Sequence, residues 1–330
     1  MRSAHFLPRI VQLRRDHGIM TLLAHAALAG SLWLAVSGCA SPPRGQPWQA
    51  AADPDGITFQ ADDRQVLRYR FDHVPFKPYV EWLRTPAGTN VLLDAPADHL
   101  HHHGLMYAVA VEGIDFWGET PNDGRQSPRY LQILTPTTVQ GLYRTGLLQT
   151  LDWIGPADKG IVLQEKRTIE VWRSADLDAS LVSWQSELHT PPGKNSVELT
   201  GRKYFGLGMR FIHSMDIDGR FFNADKGKGV AGTDNTASRW CAYTAQADGC
   251  PVTVAIFSHM SNPRHPATWF TMTTPFAYLS VTANLHHEPI RLTKGQPLRF
   301  RYAVALWDGT IEHNNIESLY RRWAGLPPSS

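Results

Sequence analysis

The sequence predicts a mostly β protein, a large antiparallel β-sandwich with one short C-terminal helix. Three observations carry this. Short β-type runs recur between turn residues, apolar and polar positions alternate within them, and no stretch with helical apolar spacing occurs until the last twenty residues. Many strands without intervening helices point to a sandwich or barrel rather than a parallel sheet.

In chain order, the first element is not part of the fold. Arg2, Arg9, Arg14 and Arg15 precede the apolar run "MTLLAHAALAGSLWLAVSGC", and Val36-Ser37-Gly38-Cys39 has the form of a lipoprotein signal-peptidase box. Residues 1–38 are therefore expected to be a signal peptide, with Cys39 lipidated and the chain facing the periplasm, anchored in the outer membrane. Residues 39–55, with the Ser/Pro/Gly-rich "SPPRGQPW", are expected to be a tether, and residues 56–330 a single β-sandwich domain. Its strands are read in "RQVLRYRF", "GLMYAVAV", "GIVLQEKRTIEVWRS", "ASLVSWQSEL", "PVTVAIFSH", "FAYLSVTANL" and "LRFRYAVALWDG". In "RTIEVW", Ile169 and Val171 face opposite to Glu170 and Trp172. In "IEHNNIESLYRRW", Ile316, Leu319 and Trp323 fall on one helical face.

A net charge of +2 with no Lys/Arg run leaves no basic face, so no nucleic-acid partner is expected. There is no G-x-S-x-G elbow and no dinucleotide fingerprint. Eleven tryptophans and ten tyrosines suit a β core, and equally the apolar faces of sugar rings. Cys241 and Cys250, in an exported chain, are expected to pair as a disulfide.

The chemistry concentrates in "DHLHHHG". His99 and His101, two apart on an extended strand, would share a face, with His102 on the other. Two imidazoles so placed could clamp zinc or copper, with His259, His265 or Glu119 as a third ligand. The same cluster could instead serve acid–base chemistry, with His101, His102, Glu119 and His265 as catalytic groups, or simply be hydrogen-bonded within the fold. A second block, "SHMSNPRHPATW", is stiffened by Pro263 and Pro266, which would present Asn262, Arg264 and His265 on a rigid turn meeting the histidines at one site. "RKYFGLGMRF" adds Tyr204 and Arg210 as possible ligand contacts, and Trp117 a possible sugar platform.

The blocks "DHLHHHGLMYAVAVEGIDFWGE", "YFGLGMRF", "RWCAYTAQADGCPVTVAIFSHMSNPRHPATWF" and "LTKGQPLRFRYAVALWDG" together resemble the bacterial family labelled methane oxygenase PmoA. Leu100 and His103 stand where many members have proline and arginine in D-H-P-H-H-R-G. The resemblance implies a supersandwich related in shape to galactose mutarotase, and exported proteins that accompany sugar-processing enzymes. A true methane oxygenase subunit spans the membrane with several helices, and no such run follows Cys39. The expected function is a lipoprotein that binds a carbohydrate and processes it by histidine-assisted hydrolysis, elimination or epimerisation. The alternatives are a non-catalytic carbohydrate-binding lipoprotein and a metal-dependent oxygenase.

Overall fold

The computed structural model describes residues 48–61 and 63–328, together with the backbone of three short strands, Ile10–Val11, Arg14–Asp16 and Ile19–Thr21. Cys39 and its box lie outside the described residues. Two antiparallel sheets face each other. The long sheet runs, in spatial order, Ile10–Val11, Arg125–Val139, Leu142–Ile154, Ile161–Arg173, Ser180–His189, Leu298–Asp308, Cys250–Ser258, Trp240–Ala247 and Arg220–Asn223. The second sheet runs Thr268–Met272, Tyr278–Thr282, Gly206–Arg210, Leu105–Ala108, Tyr79–Leu83, Arg64–Arg70, Gly56–Ala61 and Gln49–Ala52. A small sheet of Ile114–Asp115, Ala110–Val111, Ser196–Thr200 and Ile290–Thr293 lies beside them.

Period-two alternation explains how the layers stack. In Leu298–Asp308 the larger Phe300, Tyr302, Val304 and Leu306 join the core between the sheets. Ala303, Ala305 and Trp307 point the other way, into a second core beneath the helix His313–Ala324. Alanines at 242, 255, 303 and 305 let that helix approach closely, and it buries Ile316, Leu319, Tyr320 and Trp323. Ile169 and Val171 enter the first core and Trp172 the second, so the strand alternates as read but is covered on both faces.

Three expectations need correction. Gln49–Ala52, inside the residues read as tether, pairs with Gly56–Ala61, and Trp48 is buried, so the folded part has begun by residue 48. The hairpin Arg125–Val139/Leu142–Ile154 is not among the strands expected from the sequence, because much of Arg125–Val139 is exposed or half-buried and its alternation is weak. Cys241 and Cys250 are free thiols. Cys241 sits opposite Ile256 and Cys250 opposite Ala247. Six residues of extended chain between Cys241 and Ala247 span about 20 Å, well beyond disulfide reach.

Candidate functional site

The second sheet has two faces with different duties. Leu207, Met209, Leu279, Val281 and Trp269 point into the core. Their neighbours Gly208, Arg210, Tyr278, Phe270 and Met272 share the outer face, by the pairings Arg210↔Tyr278 and Met272↔Tyr278. Over this face lies a cleft of ≈ 660 Å³, walled by the histidine loop, the 115–123 turn and residues 202–204. Gly208 makes room at its floor. A Cβ there would meet the Tyr278 hydroxyl at 2.3 Å and the Trp117 ring at 3.0 Å. Trp117 stacks on Phe205 at 5.3 Å and meets Tyr204 edge-on at 5.3 Å. Aromatic rings and the charged Asp115, Asp123, Arg202 and Lys203 are thus interleaved along the cleft, with the Lys203 ammonium 5.0 Å over the Phe270 ring. Both carboxylates also order the turn. Asp115 Oδ1 accepts from the Trp117 and Gly118 amides, and Asp123 Oδ2 from that of Thr120.

The histidines do not lie on a strand. The His99 amide donates to the Pro96 carbonyl and the His102 amide to that of His99, both at 2.9 Å, so the segment turns tightly and leaves Leu100 in solvent. The alternation expected for residues 99–102 is therefore absent. All three of His99, His101 and His102 line the same cleft. His102 stacks on His99 at 4.6 Å and meets His101 edge-on at 4.6 Å. Burial, reinforced by the neighbouring imidazoles, drives His102 down to about 3, and its Nδ1 has no partner. It is a neutral ring at any physiological pH. His101, half-buried, is also lowered, first by burial and then by Lys77. It is the better proton carrier, because a base as weak as His102 accepts a proton reluctantly.

The zinc or copper clamp expected of His99 and His101, whose ring centroids are 5.7 Å apart, finds no third ligand, because among the described residues no group of three or more His, Cys, Asp or Glu could hold a metal. His259, one proposed third ligand, bonds the Ala324 carbonyl through Nε2 and Ser261 through Nδ1.

Behind the cleft lies a network that sequence reasoning missed. His103 reaches Asp94 through Nδ1 at 2.7 Å and Glu119 through Nε2 at 3.0 Å, and stacks on Tyr79 at 4.3 Å. Tyr79 donates to Asp94 at 2.9 Å, and the buried Lys77 ammonium to Glu119 at 2.5 Å. Burial alone would lower His103, but its two carboxylate partners outweigh it and hold the imidazolium above its ordinary range. Burial likewise opposes Glu119 ionising, and His103 and Lys77 overcome it. Glu119 is thus engaged as a brace between the histidine loop and the 115–123 turn rather than aimed at a ligand. Lys77 and Tyr79 alternate along a segment remote in sequence, and nothing in that segment signals a charged site.

The proline-stiffened block stands apart. Arg264 donates to the carbonyls of Ala283, Asn284, Glu288 and Pro289. Asn262 bonds Ser258 and both backbone groups of Arg301. Both side chains are spent on holding loops. They lie with His265 beyond the Thr268/Thr282 end of its hairpin, whereas Pro275, Phe276 and Tyr278 at the opposite end wall the cleft. The expected meeting of this block with the histidines does not occur, because the five-residue strands of the hairpin separate them. Arg210, by contrast, is 1 % exposed, with its guanidinium 3.5 Å from the centre of the Phe276 ring and Nη2 3.5 Å from Asp98. Its Nε and Nη1 have no partner, nor do Trp117 Nε1 and the Tyr278 hydroxyl.

No curated protein matches the sequence. Among solved structures, a GH36 α-galactosidase of Geobacillus stearothermophilus is similar at 11% identity and TM-score 0.47, covering 80% of this chain and 41% of its own. An α-galactosidase from Lactobacillus brevis is similar at 7% identity and TM-score 0.44, covering 83% and 42%. The chain thus spans about two-fifths of the length of these enzymes. The family model that does match bears no activity in its description, so the methane-oxygenase reading rests on the sequence resemblance alone. Over residues 56–321, which take in every wall of the cleft, the chain belongs to a family of unknown function, DUF6807.

Proposed function

We propose that the protein binds a carbohydrate in this cleft and processes it by histidine-assisted proton transfer, in a hydrolysis, elimination or epimerisation. The observation that supports this is the cleft itself. Its ≈ 660 Å³ is lined by Trp117, Tyr204, Phe270 and Phe276 together with clustered imidazoles, and its volume suits a small sugar. Flat rings suit the apolar faces of pyranoses. His101 then moves the proton, while His102 stays neutral and offers a hydrogen bond. A further cavity of ≈ 420 Å³, bordered by residues 189–193 and 293–297, has no such aromatic wall.

The test is calorimetric binding against a glycan panel, with product analysis, on wild type, His101→Ala and His102→Ala. Loss of an acid–base group lowers turnover by ~10²–10⁴-fold while binding survives, and His101→Ala is expected to show this more strongly than His102→Ala. Binding without turnover in wild type would instead favour a non-catalytic sugar-binding protein. We also propose, from residues 36–39, lipid anchoring at Cys39 facing the periplasm. Cys39→Ser should then abolish incorporation of labelled palmitate.

A further inference from the structure

Unpaired polar atoms gather at the cleft, on His102, Trp117 and Tyr278 of its lining and on Arg210 directly behind Phe276. Arg210 Nε and Nη1 and Trp117 Nε1 can only donate hydrogen bonds, while the Tyr278 hydroxyl and His102 Nδ1 can do either. The side chains are neighbours. His102 lies 5.3 Å from Tyr278 and 5.5 Å from Phe276, ring to ring, and Phe276 covers the Arg210 guanidinium. A cation that is 1 % exposed, with two nitrogens unused, has been taken from water without full compensation. Two carboxylates are close, and neither fills the gap. Asp98 is exposed, 3.5 Å from Nη2, and also bonds His99. Asp216 accepts from the Ala277 amide and acts on Arg210 only through its charge. Burial consequently lowers Arg210 despite both.

We propose that this corner of the cleft is a seat for a carboxylate, with Arg210 as its anchor, and that the substrate is an acidic sugar such as a uronic acid residue. The inference rests on the carbohydrate reading above. A guanidinium with Nε and Nη1 free can give a carboxylate a charge-assisted hydrogen bond from either nitrogen, or a fork that includes Nη2 once Asp98 yields it, and a neutral hydroxyl would leave its charge unanswered. The Phe276 ring lies over the guanidinium on the bend at residues 274–276, so the seat requires that ring to turn aside when the ligand enters.

An acid group placed there also narrows the chemistry. With its charge neutralised by Arg210, the carboxylate acidifies the C–H beside it, and neutral His101, which lines the cleft beside His102, takes that proton. The electron pair is held on the carboxylate as an enediolate. A proton returned to the opposite face completes an epimerisation. Alternatively, the pair forms a C=C bond as the neighbouring C–O bond breaks, and the departing oxygen takes up a proton, completing an elimination. Neither route needs an oxidant or a reductant.

The experiment is calorimetry on the full chain at one ionic strength, with methyl glycosides of glucuronic and galacturonic acid against those of glucose and galactose. The acids should bind at least about 10-fold more tightly, the scale of one hydrogen bond to a charged group. Arg210→Met should erase that preference and Arg210→Lys should restore part of it. Because the arginine is under-compensated, ligand-free Arg210→Met should melt at or above the wild-type temperature. Neutral sugars bound as well as acidic ones, with Arg210→Met unchanged, would overturn the acid seat and leave the carbohydrate reading standing. A markedly lower melting temperature for Arg210→Met would make the arginine structural and also overturn the seat. If folded wild type binds none of the four sugars, both readings fall.

Discussion

Among the described residues Arg167 and Arg210 are the arginines less than 2 % exposed, and they live opposite lives. Arg167, fully buried between the sheets, uses Nε, Nη1 and Nη2 in five hydrogen bonds, to Glu165 twice, Tyr69, the Pro78 carbonyl and Gln126. Glu165 is in turn held by Trp153 and Ser186. Arg210, on the second sheet's outer face, has an aromatic ring, one exposed carboxylate at 3.5 Å and two idle nitrogens. Low dielectric penalises both charges equally, so the difference lies in how far each is answered. A saturated buried charge marks structure. One left wanting marks a place where something else completes it. The two are also connected, since Arg167 and Gln126 grip the carbonyl of Pro78 and that of Phe76, flanking Lys77. Lys77 and Tyr79 then brace the His103 network, so the core pair helps set the wall of the cleft.

The sharpest way to break this contrast is Arg167→Met. It strands Glu165 without its cation and should cost about 3–5 kcal/mol in urea unfolding, whereas Arg210→Met costs little. Glu165→Gln combined with Arg167→Met should recover more than half of the loss, since the stranded charge is gone. A harmless single substitution would show that saturation of hydrogen bonds does not distinguish the two sites. Next in size is Lys77→Met, expected to destabilise by about 1–3 kcal/mol as Glu119 loses a charged donor, measured in the same way.

The brace should also be visible against pH. His103 has a folded pKa raised above 6.5, so its contribution is complete below 6.5 and disappears as pH rises through the folded value. Glu119 is depressed below 4.5, so its share is complete above 4.5 and is lost as pH falls through the folded value. Unfolding of wild type and His103→Gln from pH 5 to pH 9 should therefore diverge most at the acid end and converge toward the alkaline end. A gap that widens with pH would refute the assigned protonation. The smallest effect belongs to the thiols. Cys250→Ser should shift stability by no more than about 0.5 kcal/mol, and unreduced, denatured protein should titrate both Cys241 and Cys250 as free.

Strand period made much of the fold legible, because each long run needed one apolar face and a two-residue repeat states which. The C-terminal helix was legible from Ile316, Leu319 and Trp323 for the same reason at a different period. The long hairpin at 125–154 was harder, since a strand largely exposed or half-buried can leave polar residues on either face. At the site, unusual composition drew attention to His99, His101, His102 and Trp117, which do line one cleft. Composition could not separate Arg264 from Arg210. Both are arginines beside aromatic blocks, and only hydrogen-bond saturation tells them apart.

The sequence by itself thus determined the β class, the alternation that divides each strand between two layers, and the crowding of imidazoles in one loop. These are local properties, set by side-chain period and composition within a few residues. Tertiary structure alone decided that the histidine loop turns rather than extends, that His103 meets Glu119 and is braced by Lys77, and that Arg210 is left with idle nitrogens while Arg167 is not. The charge on a buried group and the number of partners it finds depend on atoms brought from strands up to about a hundred residues away, as with Tyr69 and Arg167. No local pattern encodes that meeting, because desolvation and pairing exist only once the sheets have closed over the group.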